Sequence, residues 1–249
     1  MTTVGSDRES ELAASLAAVR DRLERAAQVA GRDAGDITLL PVTKFFPASD
    51  VRILYGLGCR DFAESREQEA SAKAAELADE FAGDPPRWHM VGRIQRNKAR
   101  AVTRWAHSAH SVDSAKLVNA LDRGAADALA DGLRSAPLRV YLQLSLDGDV
   151  ARGGIDVGQS AQVDELCAAV DSAEALEFVG LMAIPPLGAD PPSAFARLRA
   201  ELERVQSHYQ QRLEMSAGMS GDLETAVQHG STCVRVGTAL MGPRPLTSP

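Results

Sequence analysis

The chain has 249 residues, with 27 Lys and Arg against 34 Asp and Glu, and a net charge of −7. That acidic balance, together with an aromatic content of 4%, argues against a dedicated nucleic-acid or anionic-membrane binder and against a base-stacking platform. The composition is that of an ordinary globular chain, long enough for one large domain or two small ones.

The first predicted element is a helix. Ser6 with Glu9 three residues later reads as a capping box, Leu12, Leu16, Val19, Leu23 and Ala27 recur at helical spacing, and Gly31 is the stop. Short apolar runs then alternate with longer helical stretches. The first run, residues 37–44, precedes a helix opened by Pro47 and Ser49-Asp50. The second, 59–64, leads into an Ala- and Glu-rich helix over 67–81. The third, 88–92, is followed by a basic stretch over 93–104, read as a solvated helix face. The fourth, 109–112, precedes a helix over 116–133, and the fifth, 138–146, a helix over 161–170. After the sixth run, 178–184, a Pro-rich loop over 185–192 separates it from a helix over 195–213. The seventh, 215–219, leads to a short helix over 223–229. The eighth covers 233–241, and the tail 243–249 is expected to be flexible.

Eight apolar runs with little alternation, each followed by a helix, indicate a parallel sheet covered on both faces. The pattern predicts a single (β/α)8 barrel over residues 1–249 with an additional N-terminal helix. An open doubly wound sheet is the competitor, but no Gly-x-Gly-x-x-Gly follows the first run. Cys59, Cys167 and Cys233 are odd in number and form no Cys-x-x-Cys pair, so reduced thiols are expected rather than disulfides or a zinc site. The N-terminus has no apolar signal region, and no run approaches the roughly 20 residues that cross a bilayer. A cytoplasmic protein is the expectation.

In such a barrel, chemistry sits at the C-terminal ends of the strands. Lys44 closes the first run before Phe45-Phe46-Pro47, so it would point into the mouth, where its amine is suited to attack an aldehyde. An ordinary lysine at a strand end is the plain alternative. After the seventh run, Gly218-Met219-Ser220-Gly221-Asp222 opens a helix. After the eighth come Gly237 and Thr238. Both turns suit a phosphate, and phosphate sites after the last two strands are typical of this barrel. One ligand carrying both an aldehyde and a phosphate would satisfy all three places: pyridoxal 5′-phosphate (PLP).

Several segments carry a family resemblance. They are Leu40-Pro41-Val42-Thr43-Lys44, Phe62-Ala63-Glu64-Ser65-Arg66-Glu67-Gln68-Glu69, Trp88-His89-Met90-Val91-Gly92-Arg93-Ile94-Gln95-Arg96-Asn97-Lys98, Gly180-Leu181-Met182, Met215-Ser216-Ala217-Gly218-Met219-Ser220-Gly221-Asp222 and Gly230-Ser231-Thr232-Cys233-Val234-Arg235-Val236-Gly237-Thr238. With them the chain resembles the pyridoxal phosphate homeostasis proteins, one-domain relatives of the alanine racemase N-terminal barrel. The resemblance implies that Lys44 holds PLP as a Schiff base. It implies that Ser220, Gly237 and Thr238 contact the phosphate, with Ser216 near by. Arg235 would face the pyridine nitrogen, and Met182 and Met219 would line the pocket. The chain departs from the family at Ser65, where an asparagine beside the cofactor ring is usual, and at Arg93, where histidine is usual.

Among the remaining candidates, His89 reads as a satisfied strand histidine, and His107 and His110 lack partners at zinc spacing. Glu64 reads either as a positioner of Lys44 or as a barrel-rim salt bridge. Two functions follow. The first is a non-catalytic carrier that buffers PLP and delivers it to apo-enzymes, expected to be a monomer with no nucleic-acid or membrane partner. The second is an amino-acid racemase of the alanine racemase type, and a weak residual activity of that kind is compatible with the first. The racemase reaction, as the resemblance describes it, needs a tyrosine base from a C-terminal β-domain. The chain ends at Pro249, just after the eighth run. Tyr141 falls early in a run, and Tyr55 and Tyr209 in predicted helices, so none is expected at the mouth.

Overall fold

Strands that are apolar on both faces need cover on both, and closing the sheet on itself leaves only the outer face for helices to cover. The computed structural model, which describes residues 3–244, has that form. Its strands are β1 (Thr38–Pro41), β2 (Asp61–Glu64), β3 (Arg87–Met90), β4 (Ser108–Val112), β5 (Leu138–Ser145), β6 (Ile155–Asp156), β7 (Leu176–Ala183), β8 (Glu214–Ser216) and β9 (Cys233–Val236). All neighbours pair parallel, in the order β1-β9-β8-β7-β5-β4-β3-β2, and β6 is a two-residue addition to β5. β1 and β2 meet through one bridge, Val42 to Ala63, which brings the ring of eight longer strands nearly to closure. The helices are α1 (Thr3–Val29), α2 (Ala48–Gly56), α3 (Glu67–Leu77), α4 (Ala99–Trp105), α5 (Ala115–Ala130), α6 (Ser160–Asp171), α7 (Pro191–Gln206), α8 (Leu223–Gln228) and α9 (Thr238–Met241). The predicted (β/α)8 barrel with an extra N-terminal helix is therefore what forms.

Alternate strand residues serve two compartments. Outward-facing Phe62, Trp88, Val234 and Val236 pack with Leu12, Leu16, Val19 and Leu23 of α1. Outward-facing Val140, Leu142 and Leu144 pack with Leu121, Val163, Phe195 and Leu198. Among the described residues the interior holds two small apolar groups: Leu40 with Ala63 and Cys233, flanked by Val42 and Val91, and Tyr141 with Val179 and Met182. What lies between them is polar.

The additional helix α1 closes the outside of the seam. Arg8 donates to Asp50 of α2 at 2.6 Å and to the Met241 carbonyl of α9 at 3.0 Å. Arg22 donates to Glu224 of α8 at 2.7 Å and to the Ser220 carbonyl at 3.0 Å. The helix ends in a Schellman turn: Arg32 N–H donates to the Ala27 carbonyl and Gly31 N–H to that of Gln28, with Gly31 at φ 64°.

Several boundaries differ from expectation. Ser6 is not a cap, because α1 already runs from Thr3. The helix expected over 195–213 is α7, which starts at Pro191. Prolines fit the first helical positions, where no N–H is needed, and Asp190 caps by accepting from Ser193 N–H at 3.1 Å. It ends at Gln206, so Tyr209 lies beyond it. The eighth run breaks at Gly237, and its last residues coil into α9. The basic stretch divides into a short 3-10 turn, Arg96–Lys98, and α4. The strand β6 carried no signal long enough to read. The expectation for the tail falls mainly on residues 245–249, outside the described residues. The three cysteines are buried and unpaired, and no helix among the described residues is long and apolar enough to cross a membrane.

Replacing Gly31 with alanine places a Cβ in the left-handed region at the α1 stop. The expected cost is about 1 kcal/mol, read as a lower urea midpoint with an unchanged slope.

Candidate functional site

The turn after β1 carries Lys44, and a buried network fixes the residues on either side of it. Thr43 N–H donates to the Ala63 carbonyl at 2.9 Å, and its hydroxyl donates to Glu64 Oε1 at 2.7 Å. Lys73 Nζ donates to the Thr43 carbonyl at 2.8 Å, to Glu64 Oε1 at 2.7 Å and to Glu69 Oε1 at 3.1 Å. Glu69 Oε1 in turn accepts from Phe45 N–H at 2.5 Å, and Phe45 adopts φ 71°, which is uncommon for a bulky residue. The peptide units before and after Lys44 are thus tied to one buried amine. Lys73 sits on the buried stripe of α3 with Ala70 and Leu77. Burial pushes the Glu64 carboxyl above its usual range, and the charge of Lys73 pulls it back only in part. Its second oxygen, Oε2, is buried without a hydrogen-bond partner.

Lys44 itself is half-buried. Among the described residues its Nζ has no hydrogen-bond or ion-pair partner, only the ring of Phe45 at 5.8 Å.

Arg235, from β9, crosses the floor of the mouth and is 4% exposed. Its Nη2 donates to the carbonyl of Ala183, at the end of β7, at 3.0 Å. Its Nη1 donates to the hydroxyl of Ser216, at the end of β8, at 2.7 Å. Ser216 is therefore committed to Arg235, and its Oγ also lies 2.9 Å from His110 Nδ1. Met182 is fully buried and packs on Tyr141 and Val179 below the mouth.

The two turns expected to take a phosphate face each other. Ser220 Oγ accepts from Ala239 N–H of α9 at 3.1 Å. The backbone N–H groups of Ser220, Gly221, Gly237 and Thr238 have no hydrogen-bond partner among the described residues. Gly218, at φ 92°, carries the chain past α8 where a Cβ would lie 2.6 Å from that of Ala226. Its carbonyl accepts from Arg235 N–H at 2.9 Å. Met219 is exposed at the rim.

Ser65 stands apart from these groups. It lines a separate groove of about 870 Å³ between the loops after β1, β2 and β3, with Phe45, Arg66, Glu69, Lys73 and Arg93. Both departures from the family's usual residues, Ser65 and Arg93, face this groove. The basic stretch is partly paired there, Lys98 with Glu67 at 3.3 Å, and Arg100 pairs with Asp127 at 3.4 Å.

His89 and His110 are both satisfied strand histidines, and no cluster of metal-ligating side chains occurs among the described residues. Glu64 combines the two roles considered for it, since its buried ion pair with Lys73 is also the brace of the Lys44 turn. Lys73 and Glu69 were not expected from the sequence. The available signal was a lysine on an apolar helical stripe, four residues after a glutamate. None of the three tyrosines is at the mouth: Tyr141 donates to Glu214 at the start of β8, Tyr55 to Asp84, and Tyr209 packs on Phe178.

Comparison with known proteins points one way. Residues 14–245 match the family model of the alanine racemase N-terminal domain. The chain is 60% identical over 249 residues to the pyridoxal phosphate homeostasis protein of Mycobacterium tuberculosis, covering 98% of this chain and 96% of that one. It is similar to the structure of PipY from Synechococcus elongatus with PLP bound, at 36% identity and TM-score 0.73 over 89% of this chain and 100% of that one. A protein of Bifidobacterium adolescentis matches at 30% identity and TM-score 0.83 over 94% and 96%.

Two outcomes follow from the geometry. Lys73→Met leaves the buried Glu64 carboxyl without its ion-pair partner, and should cost about 3–5 kcal/mol in chemical unfolding; adding Glu64→Gln should restore part of it. Burial, aided by the charge of Arg235, holds the His110 imidazole well below its usual 6.5. The unfolded chain then binds the extra proton, so stability is present above that pH and lost as pH falls below it. The slope should approach about 1.4 kcal/mol per pH unit, and His110→Gln should flatten it in unfolding titrations between pH 7 and 5.

Proposed function

Because the chain belongs to the pyridoxal phosphate homeostasis proteins, which share the alanine racemase N-terminal barrel, we propose that it binds PLP covalently through Lys44. It buffers the cofactor and hands it to apo-enzymes without turning over a substrate. The observation that carries this reading is the donor set around the mouth. An unpartnered lysine amine stands at one side, a buried guanidinium lies across the floor, and two turns with free backbone amides face each other. An aldehyde, a ring nitrogen and a phosphate fit these three in kind. Bound PLP supplies an electrophilic aldehyde carbon and an electron-withdrawing ring.

The residues then have separable tasks. Lys44 bonds the aldehyde carbon, and the Lys73–Glu64–Glu69 network keeps its turn from shifting as it does so. Ser220, Gly237 and Thr238 hold the phosphate with backbone and hydroxyl donors, which a chain of net charge −7 must supply locally. Arg235 presents donors, and no acceptor, to the ring nitrogen, so it disfavours a proton there. Met182 supports the floor and Met219 the rim. Ser65 is assigned to the cofactor's surroundings from the neighbouring groove, with a side chain that reaches less far than the usual asparagine.

Racemisation needs a base on each face of the substrate. With Lys44 as one, the described residues provide no tyrosine at the mouth as the other. The buried unpaired thiols suit a reducing compartment, in keeping with a cytoplasmic, single-chain carrier.

Incubation with PLP should give a visible absorption band that survives desalting, and Lys44→Ala should lose it. A wild-type protein that stays colourless would overturn the reading. Exchange of the alanine Cα proton in D2O should not exceed that of free PLP; faster exchange would restore the racemase.

A further inference from the structure

A buried guanidinium requires compensation, yet among the described residues Arg235 has no carboxylate partner. Its compensation runs through the barrel. Arg235 Nη1 donates to Ser216 Oγ at 2.7 Å, and Ser216 Oγ lies 2.9 Å from His110 Nδ1. His110 Nε2 lies 2.9 Å from Ser108 Oγ, which lies 2.6 Å from His89 Nδ1. His89 Nε2 lies 2.9 Å from Asp61 Oδ1, at the opposite end of the barrel. The four groups between the two charged ends are 4% exposed or less.

The ends fix the direction. A guanidinium only donates and a carboxylate only accepts. A neutral His89 therefore carries its proton on Nε2, toward Asp61, which leaves Nδ1 as an acceptor. The two imidazoles approach at 3.1 Å between His89 Nδ1 and His110 Nε2. If His110 were protonated on Nδ1 instead, two lone pairs would face each other there, with one Ser108 proton to serve both. With both rings neutral and protonated on Nε2, every contact pairs a donor with an acceptor. The hydrogen bonds then run one way, from Arg235 through Ser216, His110, Ser108 and His89 to Asp61.

Resting on the PLP reading above, we propose that these residues form one polarised hydrogen-bond chain that holds Arg235 as a fixed donor toward the cofactor's ring nitrogen. Ser216, His110, Ser108, His89 and Asp61 are its positioning residues. The consequence for the ring is direct. The protons of the chain are already directed toward Asp61, so none is available to the ring nitrogen. The ring stays a poor electron sink, as suits storage.

The surroundings support that polarity. Arg87 pairs with Asp61 at 2.6 Å and keeps it an anion, His107 stands edge-on to His89, and Tyr141 stacks on His110 with ring centroids 4.1 Å apart. Tyr141 and Arg139 are both engaged by Glu214, so neither supplies a competing proton.

Long-range ¹H–¹⁵N correlation spectra of the cofactor-free protein report histidine tautomers directly. At pH 7, His89 and His110 should both be neutral with the proton on Nε2; an imidazolium or an Nδ1 proton at either would overturn the chain. In the PLP-loaded protein, Ser216→Ala should shift the visible band and weaken cofactor retention about tenfold or more. Asp61→Asn, at the far end, should shift the same band in the same direction. An unmoved band in both variants would overturn the positioning role. A colourless unsubstituted protein would instead overturn the cofactor reading, while the tautomers still judge the chain by themselves.

Discussion

The barrel has one weak seam, and its mouth depends on how that seam is closed. β1 ends at Pro41, which has no N–H to give, and only the Val42–Ala63 bridge continues the sheet to β2. Side chains make up the difference. Thr43 reaches Glu64, Lys73 joins Glu64 to the Thr43 carbonyl, and Glu69 takes the amide of Phe45. Lys44 lies in the middle of this closure. The groups that close the ring are thus the same groups that hold the turn carrying Lys44, and loosening either loosens the other.

The same economy governs the interior. Barrels of this size are usually filled with branched apolar side chains. Here, among the described residues, the apolar filling forms two small clusters, and a polar chain occupies the space between them. Buried polar groups stabilise a fold only when all of them are satisfied. Ser108 and Ser216 make this possible, since each hydroxyl both accepts and donates where a neighbouring group can do only one. A floor built this way is stiff. Among the described residues it holds the Arg235 charge without a direct carboxylate partner.

The fold was legible because the apolar runs lack alternation and are spaced by helices. Errors arose where local chemistry has two meanings. Pro191 and Pro192 read as loop because proline ends helices, yet it also begins them. The run over 233–241 read as a strand because Gly237 interrupts it without changing its apolar character. The interior chain was not legible. His89, Ser108, His110 and Ser216 come from three strands, and each is unremarkable by itself; only the closed sheet brings them to hydrogen-bonding distance. Ser108-x-His110, two polar residues on one face of a strand, was the trace they left. Lys73 was hidden for a related reason, since a lysine in a helix ordinarily belongs to the solvent face.

The N-terminal helix has a bearing on how the molecule assembles. Arg22 grips Ser220 and Glu224 across 198 and 202 positions of sequence, and Arg8 reaches Met241 across 233. These are among the longest loops the chain can close, and closure of long loops is slow. Helix α1 therefore makes its last contacts only once α8 and α9 have formed. Its apolar stripe can meet Phe62 and Trp88 earlier, but the turns before α8 and α9, which it braces from outside, are the last part of the mouth to set.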